Sequence, residues 1–427
     1  MAPDAVVLAS TPADIAKALA AADEAGIPIT PRAGGSGKSG GAIPVAGGIV
    51  LSTLGMSEIK EIDRAEQLVV VEPGVLLADL HAAVEAEGLF YPPDANSLKV
   101  CALGGNIAEN AGGPRAFKYG VTRDYVLGLE VLLMGGSRLT TGRRTRKGVT
   151  GYDVTALLVG SEGTLAVTTE ATLRLVPKPE AIATLLALFE DARASARAVA
   201  ALLAAGLTPR CLEFFDATTL QLVRDRGVSL DERGRAMLLV ELDGDVASCE
   251  LQMERAGAAC DEAGAITVLA AQDAAKRDRL WEARRQLSPA TRALAKRKIS
   301  EDVVVPRSRL VDLLDEVARI AELAGPLVKM LSYGHAGDGN LHVNFLWDDP
   351  AALPRVQEGM DRLFRAVIGM RGTLSGEHGI GSSKAAFLPL EQSAELIALQ
   401  RQLKGVFDPR GLLNPHKIFP RLGHGGC

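Results

Sequence analysis

From residue 1 to about 178 the apolar positions arrive in short blocks that alternate between helical and extended character. Thr11 followed by Pro12 reads as an N-cap with proline in the first helical turn; an alanine-rich helix comes next, and Gly26 closes it before the extended run "IPIT". A second helix is predicted over about 76–87, stopped by Gly88. β-rich runs such as "QLVVVEP", "LGLEVLLM" and "GTLAVTTEATLRLV" surround these helices until Pro177 and Pro179 break the pattern. From Ala183 the style changes to strand, long amphipathic helix, strand: "TLLALFE", "DARASARAVAALLAAG", "PRCLEFF". A weaker echo comes after it in "MLLVELD", "VASCELQMERAGAACDEAG" and "AITVLA", and two such βαβ units predict a ferredoxin-like α+β domain. A basic helical stretch over 276–298 leads through "EDVVVP" to the hairpin sequence "SYGHAGDGNLHVNF". The expected organisation is α+β: a two-lobed domain at 1–178, a second domain at 179–405, and a segment at 406–427 that returns to the first.

Composition narrows the function classes. A chain of 427 residues has material for two or three domains. With 47 Lys+Arg against 52 Asp+Glu and no long block of like charge, nucleic acid is an unsuitable partner. Cys101, Cys211, Cys249, Cys260 and Cys427 form no C-x-x-C pair, which argues against an iron–sulfur cluster, a zinc ribbon or a disulfide framework and for a reduced, cytoplasmic setting. No signal-peptide pattern opens the chain, and no run of eighteen apolar residues predicts a transmembrane segment, so membrane contact would be peripheral, at the inner membrane through a partner.

The glycine excess gathers in a few stretches. Within "PRAGGSGKSGGAIP" the run "GSGKSG" matches G-x-G-x-x-G, yet the next residues, "AIPVAGGIVLS", are β-like rather than the helix a dinucleotide loop must open. "GKS" also imitates a phosphate-binding P-loop, but the first glycine of that motif is replaced by Arg32. The surviving reading is a run of backbone N–H groups with no side chains in the way, suited to pyrophosphate oxygens, or else a flexible turn. The stretch 91–133 combines Pro92–Pro93, paired glycines and neutral hydrogen-bonding side chains, a composition suited to a large flat cofactor lying against main chain. A third such stretch is "GSEGTLAVTTEATL".

His335 and His342, seven positions apart, would lie on opposite faces of a continuous strand. The turn "AGDGN", with Asp338 as a turn-former, is expected to fold them onto facing positions of neighbouring strands, where they either share a metal or simply flank a hairpin. A metal needs a third ligand, and "GTLSGEHGIG" supplies Glu377 beside His378. A His2Glu set suits zinc first, with manganese, cobalt or iron as alternatives. His378 is then a candidate base, against the plainer reading of a surface turn histidine.

The ordered motifs "PRAGGSG", "ALGGNIAENAGG", "VGSEGTL", "GHAGDGNLHVN", "GEHGIG" and "LLNPHKIF" resemble the FAD-linked 2-hydroxyacid dehydrogenases of the vanillyl-alcohol oxidase type, in particular the group of glycolate oxidase flavoprotein subunits, D-lactate dehydrogenases and D-2-hydroxyglutarate dehydrogenases. That resemblance implies FAD cradled by Arg32, Ala33, Gly34, Gly35, Ser36 and Gly37. The rest of the groove would be lined by Pro93, Asp94, Ser97, Gly104, Gly105, Asn106, Asn110, Gly112, Gly113, Tyr119, Glu162, Gly163, Val167 and Asn414. Ser36 stands where covalent relatives carry histidine, so non-covalent FAD is expected. The resemblance assigns the metal to His335, His342 and Glu377, and the W-x-x-R pattern makes Arg284 the substrate-carboxylate clamp beside Ser288, with Trp281 as support. His378 would take the hydroxyl proton while hydride passes to FAD.

Lys38, and His416 where the family usually has glycine, depart from the pattern, and the chain begins some tens of residues later than such relatives, raising the expectation of a missing or trimmed N-terminal segment. "DVVVP" and the 91–133 match favour a small D-2-hydroxyacid such as glycolate or D-lactate. D-2-hydroxyglutarate is the alternative, although the lysine expected for it aligns with Ser300, with Lys298 only nearby. A metallohydrolase, a non-catalytic flavoprotein subunit and a flavin-dependent alkyl-ether synthase are the competing classes. Electrons would leave to an acceptor protein or quinone, with iron–sulfur and second flavoprotein subunits as candidate partners and a homodimer left open.

Overall fold

The computed structural model describes residues 2–225, 227, 229–271, 275, 277, 278, 281, 284 and 287–420, without the side chains of 288 and 289. The chain divides into two compact units, one formed by Met1–Gly113, Gly120–Lys178 and Glu377–Cys427, the other by Pro114–Tyr119 and Pro179–Gly376. The division falls between Lys178 and Pro179. The chain returns to the first unit at Glu377, and Pro114–Tyr119, a six-residue piece of the 91–133 stretch, belongs to the second. Both are places where the chain passes between units without a change in composition, so periodicity carries no signal there.

The first unit has two lobes. One is a parallel three-stranded sheet in the order Ala5–Leu8, Ile49–Ser52, Ile29–Arg32. Helix Pro12–Ala25 packs on it through Ile15, Leu19 and Ala22, at helical spacing, against Ile29, Leu51 and Leu413. Thr11 and Asp14 close a capping box at its start, and Gly26, at φ 68°, ends it in the left-handed conformation glycine tolerates. The other lobe is an antiparallel sheet ordered Ile59–Asp63, Leu68–Val71, Val167–Arg174, Val126–Leu132, Arg138–Gly142. Helix Leu77–Ala86 buries Leu77, Leu80 and Val84 in the core that Val69, Val71, Leu129 and Leu173 share.

The second unit is built on one seven-stranded antiparallel sheet. Its first four strands stand in the order Ala265–Ala271, Ala181–Phe189, Ala236–Gly244, Cys211–Phe215. In chain sequence that is fourth, first, third, second, the ferredoxin-like order expected from the two βαβ echoes. Helices Ala192–Ala204 and Val246–Glu262 are N-capped by Asp191 and Asp245. Three further strands, Lys329–His335, Asn340–Trp347 and Arg297–Val304, extend the sheet beyond Cys211–Phe215. Tyr333 and Leu331 on this extension share a core with Phe215, Leu220, Leu287 and, at its margin, Trp281. That core places the helical segment carrying Arg284 over the face that also bears the histidines. Among the described residues no helix is long and apolar enough to cross a membrane.

Candidate functional site

In the first unit the glycine-rich loop leaves the C-terminal end of the parallel strand Ile29–Arg32, the usual place for a ligand in such a sheet. A Cβ on Gly34 would lie 2.3 Å from the Val100 carbonyl oxygen, and one on Gly35, at φ 64°, would strike the Arg32 guanidinium. Only glycine lets the main chain run this close, and among the described residues the N–H groups of Gly34, Gly35, Ser36 and Gly37 donate to no protein acceptor. The loop therefore presents the donor array that pyrophosphate oxygens require. Ser36 meets Ser97 across it, Oγ to Oγ at 3.5 Å.

The rest of the groove is set by main-chain bonds. Helix Leu103–Glu109 ends at Asn110 in the left-handed region, whose side-chain oxygen accepts from the Arg123 N–H at 2.8 Å. Gly104 donates to the Pro73 carbonyl at 2.8 Å, and His81 Nε2 lies 3.0 Å from the carbonyl of Pro93. A Cβ on Gly113 would fall 1.9 Å from the Asp94 oxygen. Buried Asn414 ties two parts of the groove together by donating to the carbonyls of Gly41 at 3.0 Å and Glu162 at 2.8 Å. The Glu162 carboxylate accepts from the N–H groups of Ile380 and Gly381, both at 2.7 Å. Val167, the first residue of its antiparallel strand, is an apolar core residue clustered with Ile29 and Leu413 of the other lobe. His416 adopts φ 63°, a left-handed conformation that glycine takes more readily than histidine.

Sequence reasoning missed a second carboxyl here. Glu109 points at the glycine loop and at Gly379, whose Cβ would lie 2.9 Å from Glu162 Oε1 as well as against Glu109. Burial, reinforced by the charge of Glu162, pushes Glu109 well above the usual carboxylate range, with Lys417 opposing. Burial lowers Lys417 to about 8, while its Nζ donates to the carbonyls of Gly40 at 2.8 Å and Ile43 at 2.6 Å.

In the second unit the hairpin turn spans four residues, with Asp338 donating its N–H to the His335 carbonyl at 3.1 Å and Gly339 at φ 75°. That loop length pairs Tyr333 with His342, so the two histidines are diagonal neighbours on one face rather than directly opposite. Their rings are 5.4 Å apart and nearly perpendicular, and both are buried. Each has a carboxylate as its cross-strand partner: Glu213 faces His335 on one side, Asp302 faces His342 on the other. Glu213 Oε1 bonds His335 Nδ1, which turns Nε2 of that ring outward as the ligand-side nitrogen. Asp302 Oδ1 lies 3.7 Å from His342 Nδ1 and accepts from Asn340 Nδ2 at 2.6 Å. Two imidazoles on one face, each backed by a carboxylate, form a donor set that fits a divalent metal.

Glu213 also binds Arg284 Nε through Oε2, and the Arg284 guanidinium stacks 5.1 Å over the Tyr333 ring. Burial alone would raise the Glu213 carboxyl, but His335 and Arg284 hold it far below the usual range. Sequence reasoning singles out neither acid; the available signal is a lone acidic residue inside an apolar strand in "CLEFF", and an acidic pair leading one in "EDVVV". Tyr119 belongs to the second unit and donates its hydroxyl to Asp243 at 2.7 Å, while Trp281 donates to Glu241 at 2.6 Å. Ser288 falls in helix Leu287–Ala293, with its side chain outside the described residues, as is part of the basic 276–298 stretch. Lys298 donates to Thr291 Oγ1 at 2.6 Å. Glu377 and His378 open the returning segment, with His378 Nε2 3.5 Å from Glu377 Oε1.

Residues 3–142 match the FAD binding domain model, and residues 178–418 match the C-terminal domain of the FAD linked oxidases. The chain belongs to the FAD-linked oxidases. Among curated members of this family it is 42% identical to the glycolate oxidase subunit GlcD of Bacillus subtilis, covering 98% of this chain and 89% of that one. It is 35% identical to the D-lactate dehydrogenase of Archaeoglobus fulgidus, over 98% and 91% of the two chains. The fold is that of p-cresol methylhydroxylase, with a TM-score of 0.80 at 16% identity over 99% of this chain and 90% of that one. An FAD-binding domain of the vanillyl-alcohol oxidase type is joined to an α+β second domain.

Proposed function

We propose that this FAD-linked oxidase oxidises a small D-2-hydroxyacid, of the glycolate or D-lactate type, to the 2-oxoacid. The observation that carries the reading is the convergence of His335, His342 and Arg284 on one sheet face, the first two backed by carboxylates and the third held by Glu213 and Tyr333. The similarity to a glycolate oxidase subunit and to D-lactate dehydrogenase supports the substrate class.

In this reading Arg284 receives the substrate carboxylate with the far edge of its guanidinium, since Nε is engaged by Glu213. His335, His342 and Glu377 hold the divalent metal, zinc first among the candidates. Chain connectivity supports Glu377 as the third ligand: Gly376 is anchored to Asp302, the partner of His342, and Glu377 is the next residue. Held there, a divalent metal would supply Lewis-acid chemistry that lowers the pKa of the substrate hydroxyl. His378 takes the hydroxyl proton. The glycine loop of 32–37 and the Asn414 tie would hold FAD without a covalent link, and FAD would supply the oxidising power as the acceptor of the hydride equivalent. Electrons then pass to an acceptor protein or quinone, in keeping with the naming of the Bacillus relative as a subunit. D-2-hydroxyglutarate is the second reading; among the described residues Lys298, a candidate for its second carboxylate, donates to Thr291 Oγ1.

An anaerobic panel of D- and L-2-hydroxyacids scored by flavin bleaching tests reaction class, stereochemistry and substrate together. Bleaching by D-lactate or glycolate is expected; a flavin that no hydroxyacid reduces would remove the proposal.

A further inference from the structure

Two carboxylates stand behind the two histidines, and they are bonded differently. Asp302 is tied to its surroundings: Oδ1 takes the Asn340 amide, and Oδ2 takes the Ser375 hydroxyl at 3.1 Å and the Gly376 N–H at 2.8 Å. Glu213 makes no such local bonds among the described residues. Its side chain is fully buried, and its two oxygens divide between two residues far away in sequence, Oε1 to His335 Nδ1 and Oε2 to Arg284 Nε. The carboxylate is held in place from below, because Glu213 lies in a strand hydrogen-bonded on both sides, to Ala236–Gly244 and to Lys329–His335.

We propose that Glu213 is a positioning residue shared by the metal ligand and the substrate clamp, so that one carboxylate sets the imidazole of His335 and the guanidinium of Arg284 together. The inference rests on the function proposed above and adds a coupling to it. A carboxylate that served His335 alone would leave its second oxygen to water or main chain. Here that oxygen fixes the rotation of a buried arginine, whose planar fork then has one edge anchored and Tyr333 beneath it. A shift of Glu213 moves both groups at once. Metal affinity and carboxylate affinity are therefore expected to fall in step when Glu213 is altered, whereas loss of His335 or Arg284 alone would touch mainly one of them.

The test uses the FAD-loaded protein carrying Glu213→Gln, with Glu213→Asp as the variant that keeps the charge but shortens the reach. Zn²⁺ affinity is read by competition with a chromophoric chelator. Oxalate, a planar mimic of a deprotonated 2-hydroxyacid, is titrated calorimetrically both at saturating Zn²⁺ and after chelator treatment, the second condition isolating the Arg284 arm. Glu213→Gln is expected to weaken Zn²⁺ about 10–100-fold and to weaken oxalate about 10-fold or more in both conditions, with Glu213→Asp intermediate and FAD content unchanged. Should Glu213→Gln not fold, Glu213→Asp alone decides, because it must still weaken both ligands. Wild-type affinity for both ligands in either variant overturns the proposal, and so does a loss confined to one ligand. A wild-type protein that binds no metal overturns the underlying metal reading instead, a result visible before any variant is made.

Discussion

Gly376 donates its main-chain N–H to Asp302 Oδ2 at 2.8 Å, one residue before Glu377 and two before His378. The end of the second unit is thereby fastened to the carboxylate that pairs across the sheet with His342. The fit is tight, for a Cβ on Gly376 would lie 2.3 Å from Asn340 Nδ2 and 2.7 Å from Val304 Cγ2. Asp302→Asn is expected to weaken divalent metal about 10–100-fold, because an amide can no longer accept from Asn340, Ser375 and Gly376 together. Metal content after dialysis against graded chelator checks this, and unchanged retention would separate Asp302 from the metal site.

His378 follows Glu377 directly, so a ligand and a base would be delivered by one dipeptide. His378→Ala is expected to slow hydroxyacid-dependent flavin bleaching by about 10²-fold or more while the protein stays yellow. A variant that bleaches at the wild-type rate would exclude His378 as the base. A variant that loses its flavin would assign it to cofactor binding instead.

Much of this arrangement is legible along the chain, and the hidden part has a common physical form. The two βαβ echoes predict the ferredoxin-like strand order because each is local, set by periodicity and by Asp caps at 191 and 245. The hairpin histidines are legible for the same reason, being one turn apart. Their diagonal rather than opposed placement is not, since register depends on how many residues the turn keeps unpaired. Glu213 and His335 are 122 positions apart, and no local pattern records that their strands are neighbours. Groove residues such as Asn414 are legible only through family motifs. In isolation Asn414 is a polar residue before a proline-punctuated turn, and its function as a bridge between Gly41 and Glu162 arises from tertiary packing.

That bridge yields a third prediction. Asn414→Ala removes two donors from carbonyls that are buried with it, at a cost of about 1–3 kcal/mol for each oxygen left unsatisfied. The glycine loop and the turn at Glu162 would then drift apart, and FAD is expected to be lost during gel filtration. Full flavin content together with an unchanged thermal midpoint would show that the groove does not depend on this residue.

The last prediction concerns pH. Glu109 is half-buried against the glycine loop, its buried Oε2 accepts no hydrogen bond, and desolvation together with Glu162 raises its carboxyl above the ordinary value of 4.5. The groups that face it are Glu162, which repels its charge, and Lys417, which favours it. A carboxyl whose pKa is higher in the folded state binds protons more tightly there than in the unfolded chain. Its contribution to stability is therefore fully present below about pH 4.5 and is lost as pH rises through the folded value. At neutral pH the folded protein bears a cost, either keeping Glu109 protonated against solution pH or burying its charge. Glu109→Gln replaces that group with a neutral one of the same size. The variant is expected to gain about 1 kcal/mol or more at pH 8, read as a thermal midpoint higher by roughly 2 °C, with the gain shrinking towards zero near about pH 4. A gain of the same size at both pH values would attribute the effect to packing, and a loss at pH 8 would mean that the charged carboxylate is the form this groove stabilises.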